Sequence, residues 1–217
     1  MRSEAACEQM VEQQVRAWDV PDERILDALR AVPRQRFVPE RWRDLAFADC
    51  ELPLPCGKHM LRPMLVGRLL QELAVRPGEQ ALEIGTGSGY VSACLAYLGA
   101  RVRTIELHRE LADAARGTLK GLEPARTVEV IDGNGLELNE TGRYDLIVLT
   151  ASLPIYQTNF ERALRPGGRM FLVVGAAAPQ RASLVRCAGA GDCSREPLFE
   201  TRIEPLEGAP QPAAFGF

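Results

Sequence analysis

The 217-residue sequence has no excess of basic charge: 26 lysines and arginines against 29 acidic residues leave a formal net charge of -3 and a pI near 5.6. A surface built to neutralise many phosphates carries such an excess, so nucleic acid is not an expected partner. No apolar run approaches the roughly 18 residues of a membrane span. The opening Met1-Arg-Ser-Glu-Ala-Ala-Cys-Glu8 holds no apolar secretory segment either. A membrane is therefore not an expected partner, and a cytoplasmic location is expected. Closely spaced cysteine pairs of the zinc-site kind are missing as well. Cys50, Cys56 and His59 stand near one another but not at that spacing, so no metal is expected. A chain of this length can stabilise itself by burial, and nothing marks it as secreted, so its six cysteines are expected to be free thiols. Cys94 reads as a small core residue, and Cys187 and Cys193 flank a glycine-rich turn. Repeats and low-complexity tracts are absent apart from the Pro/Ala-rich end at 208–214.

What is present is ordinary for a globular domain, with 46% hydrophobic and 25% charged residues. One domain over 1–217 is expected, with helices and a functional loop in 1–75 and a ligand-binding α/β core in 76–217. Met10, Val11, Val15 and Trp18 keep a helical rhythm, and Pro21-Asp22 opens a second helix holding Ile25, Leu26 and Leu29 that stops before Val32-Pro33. The proline-rich stretch from Arg34 to Pro63 reads as loop with short pieces of structure, and such long loops are often functional. Helical periodicity resumes over Met64 to Leu73. Beyond it, strands at Gln80–Ile84, Val102–Glu106, Thr127–Ile131, Tyr144–Thr150 and Arg169–Val174 alternate with helices at Tyr90–Leu98, Leu111–Leu122 and Phe160–Leu164. That alternation predicts a largely parallel sheet. Leu184–Cys187 and Arg195–Ile203 read as an antiparallel pair at its edge. The apolar end Phe215-Gly-Phe217 is free to pack on its own domain or on a neighbour, and the sequence leaves the oligomeric state open.

The run Glu83-Ile84-Gly85-Thr86-Gly87-Ser88-Gly89 joins a buried strand to a helix N-terminus. A tight turn there needs glycine where side chains would block a ligand, and it directs backbone amides toward that ligand. Gly85, Gly87 and Gly89 meet the need, though the spelling alone is shared by nucleotide and dinucleotide proteins. Glu106 ends the next strand about 20 residues later, where an acidic side chain accepts from both ribose hydroxyls. Leu107 follows it at the same site. Asp132-Gly133 ends the third strand, where a carboxylate suits an adenine amino group and a backbone amide a ring nitrogen. Glu83 is a buried carboxylate beside a place for a ligand ammonium group. Glu83, Gly85, Thr86, Gly87, Gly89, Glu106, Leu107, Asp132 and Gly133 therefore form a candidate adenosyl-ligand site, with S-adenosyl-L-methionine as the expected cofactor. Against a dinucleotide, the third glycine comes one residue early for GxGxxG and no second phosphate loop follows.

The sequence resembles the protein-L-isoaspartate O-methyltransferase family well beyond this turn. Met10-Val-Glu-Gln-Gln-Val15, Val32-Pro-Arg-Gln-Arg-Phe-Val-Pro39, Leu45-Ala-Phe-Ala-Asp49 with Leu52-Pro53, and Leu82-Glu-Ile-Gly-Thr-Gly-Ser-Gly-Tyr90 carry the resemblance, which runs from about residue 10 to residue 175 and weakens after that. It implies an α/β class I S-adenosylmethionine-dependent methyltransferase fold, Rossmann-like, with a mostly parallel seven-stranded sheet and helices on both faces. It also implies methylation of isoaspartyl carboxylates in damaged proteins, with S-adenosyl-L-homocysteine as product. The family's active-site loop, Gly-Gln-Thr-Ile-Ser-Gln-Pro, aligns without gaps to Gly57-Lys-His-Met-Leu-Arg-Pro63, so His59 stands at the threonine and Leu61 at the serine. These two are the candidate catalytic positions. His59 could act as a base toward an alcohol or amine, Lys58, His59 and Arg62 could hold an anionic acceptor, or all three could be merely packed or solvated. Thr150 and Ser152, after the fourth core strand, could contact substrate or terminate the strand by bonding loop amides. Three functions follow: methyl transfer to a protein or peptide carboxylate, methyl transfer to a small-molecule or other protein acceptor, or a non-catalytic cofactor-binding module.

Overall fold

The structure, a computed structural model, describes residues 2–189 and 191–213; the tail Phe215–Phe217 lies outside them. Helix α1, Arg2–Gln9, continues through a π-turn at Met10–Val15 and a 3-10 turn at Arg16–Trp18. Helix α2, Glu23–Ala31, is capped by Asp22, whose carboxylate accepts from Arg24 N at 3.0 Å, and it ends where Val32 turns extended before Pro33. Two 3-10 turns, Arg34–Arg36 and Glu40–Leu45, and a minimal hairpin of β1, Leu52–Pro53, with β2, His59–Met60, make up the proline-rich stretch. Helix α3, Pro63–Leu73, begins on its proline, whose missing amide costs nothing at a helix start.

The core then alternates β3 (Gln80–Ile84), α4 (Tyr90–Tyr97), β4 (Arg101–Glu106), α5 (Arg109–Lys120), β5 (Val128–Asp132), β6 (Tyr144–Leu153), α6 (Asn159–Ala163) and β7 (Leu164–Val174), followed by β8 (Gln180–Gly189) and β9 (Asp192–Thr201). Among the described residues these strands form one seven-stranded sheet in the order β5-β4-β3-β6-β7-β8-β9. Neighbours from β5 through β7 run parallel, while β7, β8 and β9 pair antiparallel, as the sequence pattern implied. The order reverses beside β3, so a crevice opens at the carboxyl ends of β3, β4 and β6.

Period-two alternation sorts the strand side chains onto two cores. Ala81, Leu146, Val148, Phe171 and Val173 join the core under α2 to α5, whereas Leu82, Ile147, Leu149, Met170 and Leu172 pack with Phe160 and Ala163 of α6 on the other face. No helix among the described residues is long and apolar enough to cross a membrane.

The expectation of six free thiols is corrected at one pair. Cys187 and Cys193 are register partners across the β8–β9 hairpin, with Cα atoms 4.0 Å apart, and they form a disulfide. The pairing is set by the register of β8 on β9, which residue counting does not reveal. Cys94 is fully buried on α4, and burial pushes its thiol up to about 12.

Candidate functional site

The glycine run turns sharply at the end of β3. Gly85 holds φ +91°, Gly87 +52° and Gly89 +84°, all in the region that glycine enters without steric cost, and Gly89 starts α4. The amides of these glycines are already engaged within the protein: Gly85 N donates to Ile105 O at 2.9 Å, Gly87 N to Glu106 Oε2 at 2.8 Å and Gly89 N to Thr86 O at 2.8 Å. The expectation that the turn aims its glycine amides at a ligand is thereby corrected. The Glu106 carboxylate accepts from the turn and itself lines the cavity.

A Cβ on Gly85 would lie 2.6 Å from Thr150 Oγ1, whose hydroxyl donates to Ile84 O at 3.0 Å and also to Gly85 O. Gly85→Ala is therefore expected to lose about 1–3 kcal/mol of unfolding free energy through strain and the displaced threonine. Urea unfolding measures this, and a loss under about 0.5 kcal/mol would show that the turn relaxes freely.

Glu106 ends β4 almost fully buried. Its Oε1 accepts from His108 N at 3.0 Å while Oε2 holds Gly87 N. Both oxygens keep further lone pairs for a ligand. Leu107, an exposed leucine, lines the same cavity, as do Asn134 and Gly135 beyond β5. Asp132 and Gly133 do not line it. Asp132 Oδ1 accepts from Arg116 of α5 at 2.7 Å, and Gly133 N is committed to Glu106 O at 2.9 Å.

Glu83 shares the α4 side of β3 with Ala81. It is fully buried; Ser92 Oγ donates to its Oε2, and its Oε1 has no hydrogen-bond partner among the described residues. Burial raises its carboxyl to about 8, against the lowering effect of the Ser92 and Thr104 hydroxyls. An unpaired oxygen in such a place is open to a donor, and a cationic donor would favour the ionised carboxyl. Glu83 lines a small inner chamber with Thr86, Gly85, His59 and Leu61. The Thr86 hydroxyl is spent on Thr104, 2.7 Å away.

Leu61 is buried against this chamber, and its carbonyl accepts from the buried Arg34 at 2.7 Å, which also donates to Ala46 O and stacks over the Tyr90 ring. The Arg34 guanidinium, drawn down in pKa by burial, thus ties the loop to the segment before it. The other polar loop residues are paired: Lys58 Nζ lies 2.7 Å from Glu207, His59 Nδ1 2.5 Å from Glu204, and Arg62 donates to Thr201 Oγ1 at 3.1 Å. The Ser152 hydroxyl faces the carbonyl oxygens of Ile203 and Glu204 and accepts from Gln180, so its partners are carbonyls and a side chain rather than the expected loop amides. Glu51, His108, Glu204 and Glu207 line the cavity beside Glu106 without having been singled out in the sequence. The two after β9 carry no local signal, because only chain return brings 204–207 over the crevice.

The model of the protein-L-isoaspartate(D-aspartate) O-methyltransferase family matches residues 5–209. The chain belongs to this family. Two relatives named protein-L-isoaspartate O-methyltransferase are those of Koribacter versatilis, 38% identical over 92% of this chain and 89% of that protein, and of Aeropyrum pernix, 37% identical over 92% and 78%. In fold, the chain is similar to the solved structure of a Plasmodium falciparum protein-L-isoaspartate O-methyltransferase homologue in complex with S-adenosyl-L-homocysteine. The TM-score is 0.79, at 19% identity, covering 92% of this chain and 97% of that one. The seven-stranded sheet with flanking helices is thus the α/β S-adenosylmethionine-dependent methyltransferase fold, and family membership makes this protein a methyltransferase of that type.

Proposed function

We propose that this chain methylates the side-chain-like carboxylate of isoaspartyl residues in proteins or peptides, converting S-adenosyl-L-methionine to S-adenosyl-L-homocysteine. The family match over residues 5–209 carries this reading. The residues of the crevice fit the cofactor: Glu106 retains acceptor capacity for two ribose hydroxyls, the exposed Leu107 offers apolar surface to a base, and the unpaired Glu83 Oε1 suits an ammonium group. Asp132 serves an adenine amino group only by sharing its carboxylate with Arg116.

When bound, the cofactor supplies a methyl group activated on a sulfonium. An isoaspartyl carboxylate is already a nucleophile, so the task of the protein is alignment and exclusion of water rather than proton removal. In the family loop a hydroxyl is available to hold that carboxylate. Here Leu61 stands at the serine position, which leaves His59 as the polar loop side chain on the inner chamber. One domain over 1–217 belongs to the same reading, supported by a core running from Met10 to Ile203. So does a cytoplasmic location.

The test is transfer of labelled methyl to a synthetic isoaspartyl peptide, with the aspartyl peptide as control. Transfer to the first alone is expected; none to either, under conditions where S-adenosylhomocysteine binds, overturns the reading. Leu61→Ser is expected to raise that activity about fivefold, the worth of roughly one hydrogen bond. The loss of a hydroxyl at Leu61 favours a second reading, a small-molecule or other protein acceptor. Labelled methyl appearing in cell extract but not in the peptide would select it.

A further inference from the structure

Each polar residue that replaces a family residue in the loop at 58–62 turns toward β9 or the segment following it: Lys58 to Glu207, His59 to Glu204 and Arg62 to Thr201. That segment is itself held in place. Ser152 N donates to Glu204 O at 2.8 Å, Leu206 N to Ser152 O at 2.8 Å, and Ile203 N to Gln180 Oε1 at 2.8 Å. The Glu204 backbone is therefore fixed relative to β6, and its carboxylate meets the His59 ring from a rooted base.

His59 occupies a junction. Among the described residues it alone lines the cavity beside Glu106, the inner chamber beside Glu83, and an open groove bounded by Asp49, Arg62 and Arg202. A carboxylate accepts hydrogen bonds and cannot donate them, so the ring nitrogen facing Glu204, Nδ1, carries a proton in both the neutral and the charged ring. We infer that Glu204 is a positioning residue acting through His59: it holds the ring so that Nε2 receives the acceptor where the cofactor side and the groove meet. On the isoaspartyl reading, the charged ring donates Nε2–H to the acceptor carboxylate and replaces the hydroxyl absent at Leu61. Nothing in the sequence around Glu204 suggests this role; the pairing exists only in the folded chain.

Two measurements test it. The chain has only two histidines, His59 and His108, so nitrogen-15 spectra of the ring resonances resolve both, with His108→Gln assigning them. The intact protein is expected to show Nδ1 of His59 protonated, and Glu204→Ala to move the neutral ring to the Nε2–H tautomer. In kinetics, Glu204→Ala is expected to raise KM for an isoaspartyl peptide about tenfold with a smaller change in kcat, as for one lost charge-assisted hydrogen bond. Glu204→Gln, which keeps an acceptor oxygen, should recover most of the loss, and Glu204→Ala should have no further effect in a His59→Gln background. An unchanged His59 spectrum in Glu204→Ala, or an equal loss in the His59→Gln background, overturns the inference. If the intact protein methylates no isoaspartyl peptide, the acceptor reading fails separately, and the spectra still decide whether Glu204 sets the ring.

Discussion

Glu106→Ala is expected to raise the dissociation constant for S-adenosylhomocysteine at least about 100-fold, because two charge-assisted hydrogen bonds to a ribose diol together contribute about 3 kcal/mol or more. The carboxylate is not a free surface group. It sits almost fully buried at the end of β4, gripped by Gly87 N at 2.8 Å and His108 N at 3.0 Å. These two donors hold its plane fixed, so little entropy remains to be lost when a diol binds. Removing it also leaves the two amides without their partner, at a cost of about 1–3 kcal/mol for each one that water fails to reach. Calorimetric titration gives the affinity and thermal unfolding the stability. Glu106→Gln separates the two effects: it can still accept from one amide and should keep most of the stability while losing most of the affinity. An affinity within threefold of the parent in Glu106→Ala would place the ribose elsewhere.

Glu83→Gln is expected to change both the pH dependence of stability and the proton balance of cofactor binding. In the folded protein burial holds this carboxyl near 8, while in the unfolded chain it titrates at its ordinary value of 4.5. Between those values the folded state keeps a proton that the unfolded state has released. Stability therefore falls as pH rises from about 4.5 to about 8, by about 1.4 kcal/mol for each pH unit, and levels off above. Glutamine cannot titrate, so the difference in unfolding free energy between Glu83→Gln and the parent should widen steadily over that window. Parallel pH profiles for the two proteins would show that Glu83 is already ionised.

Binding supplies the second readout. If a cofactor ammonium meets the unpaired Oε1, Glu83 ionises on binding, and up to one proton is released near pH 7. Calorimetry in two buffers of different ionisation enthalpy detects that proton, and Glu83→Gln should abolish it while weakening affinity about tenfold. Equal proton release from both proteins would remove Glu83 from the ammonium site.

Much of the frame was legible from local patterns. β3 begins and ends where its apolar run does, because a strand leading into Gly-Thr-Gly-Ser-Gly has one economical continuation, a turn and a helix. β7 was less so: Arg165-Pro-Gly-Gly168 reads as a helix stop, yet β7 begins at Leu164, since Leu164 already pairs with Tyr144 across the neighbouring strand. β8 and β9 likewise run longer than their apolar cores, because each residue opposite a paired partner is drawn into the ladder whatever its own preference. The N-terminal segment keeps its apolar rhythm but changes helix type at Met10, a distinction of hydrogen-bond register that periodicity does not encode.

The site divides along the same line. Residues next to one another in the chain, Gly85 through Gly89, could be read directly as a turn, since Gly85, Gly87 and Gly89 hold the positive φ that such a strand-to-helix turn requires. Three things depended on which groups folding set beside them. Asp132 met Arg116 and left the cavity wall, Cys187 met Cys193 and formed a disulfide, and Glu204 met His59 across 145 positions of sequence. The sequence alone determined the alternation of strands with helices and the glycine turn, because short-range sterics and periodicity decide those locally. Only the tertiary structure decided what His59, Asp132 and Glu106 face, because a charge is assigned its role by the partners that long-range packing brings to it.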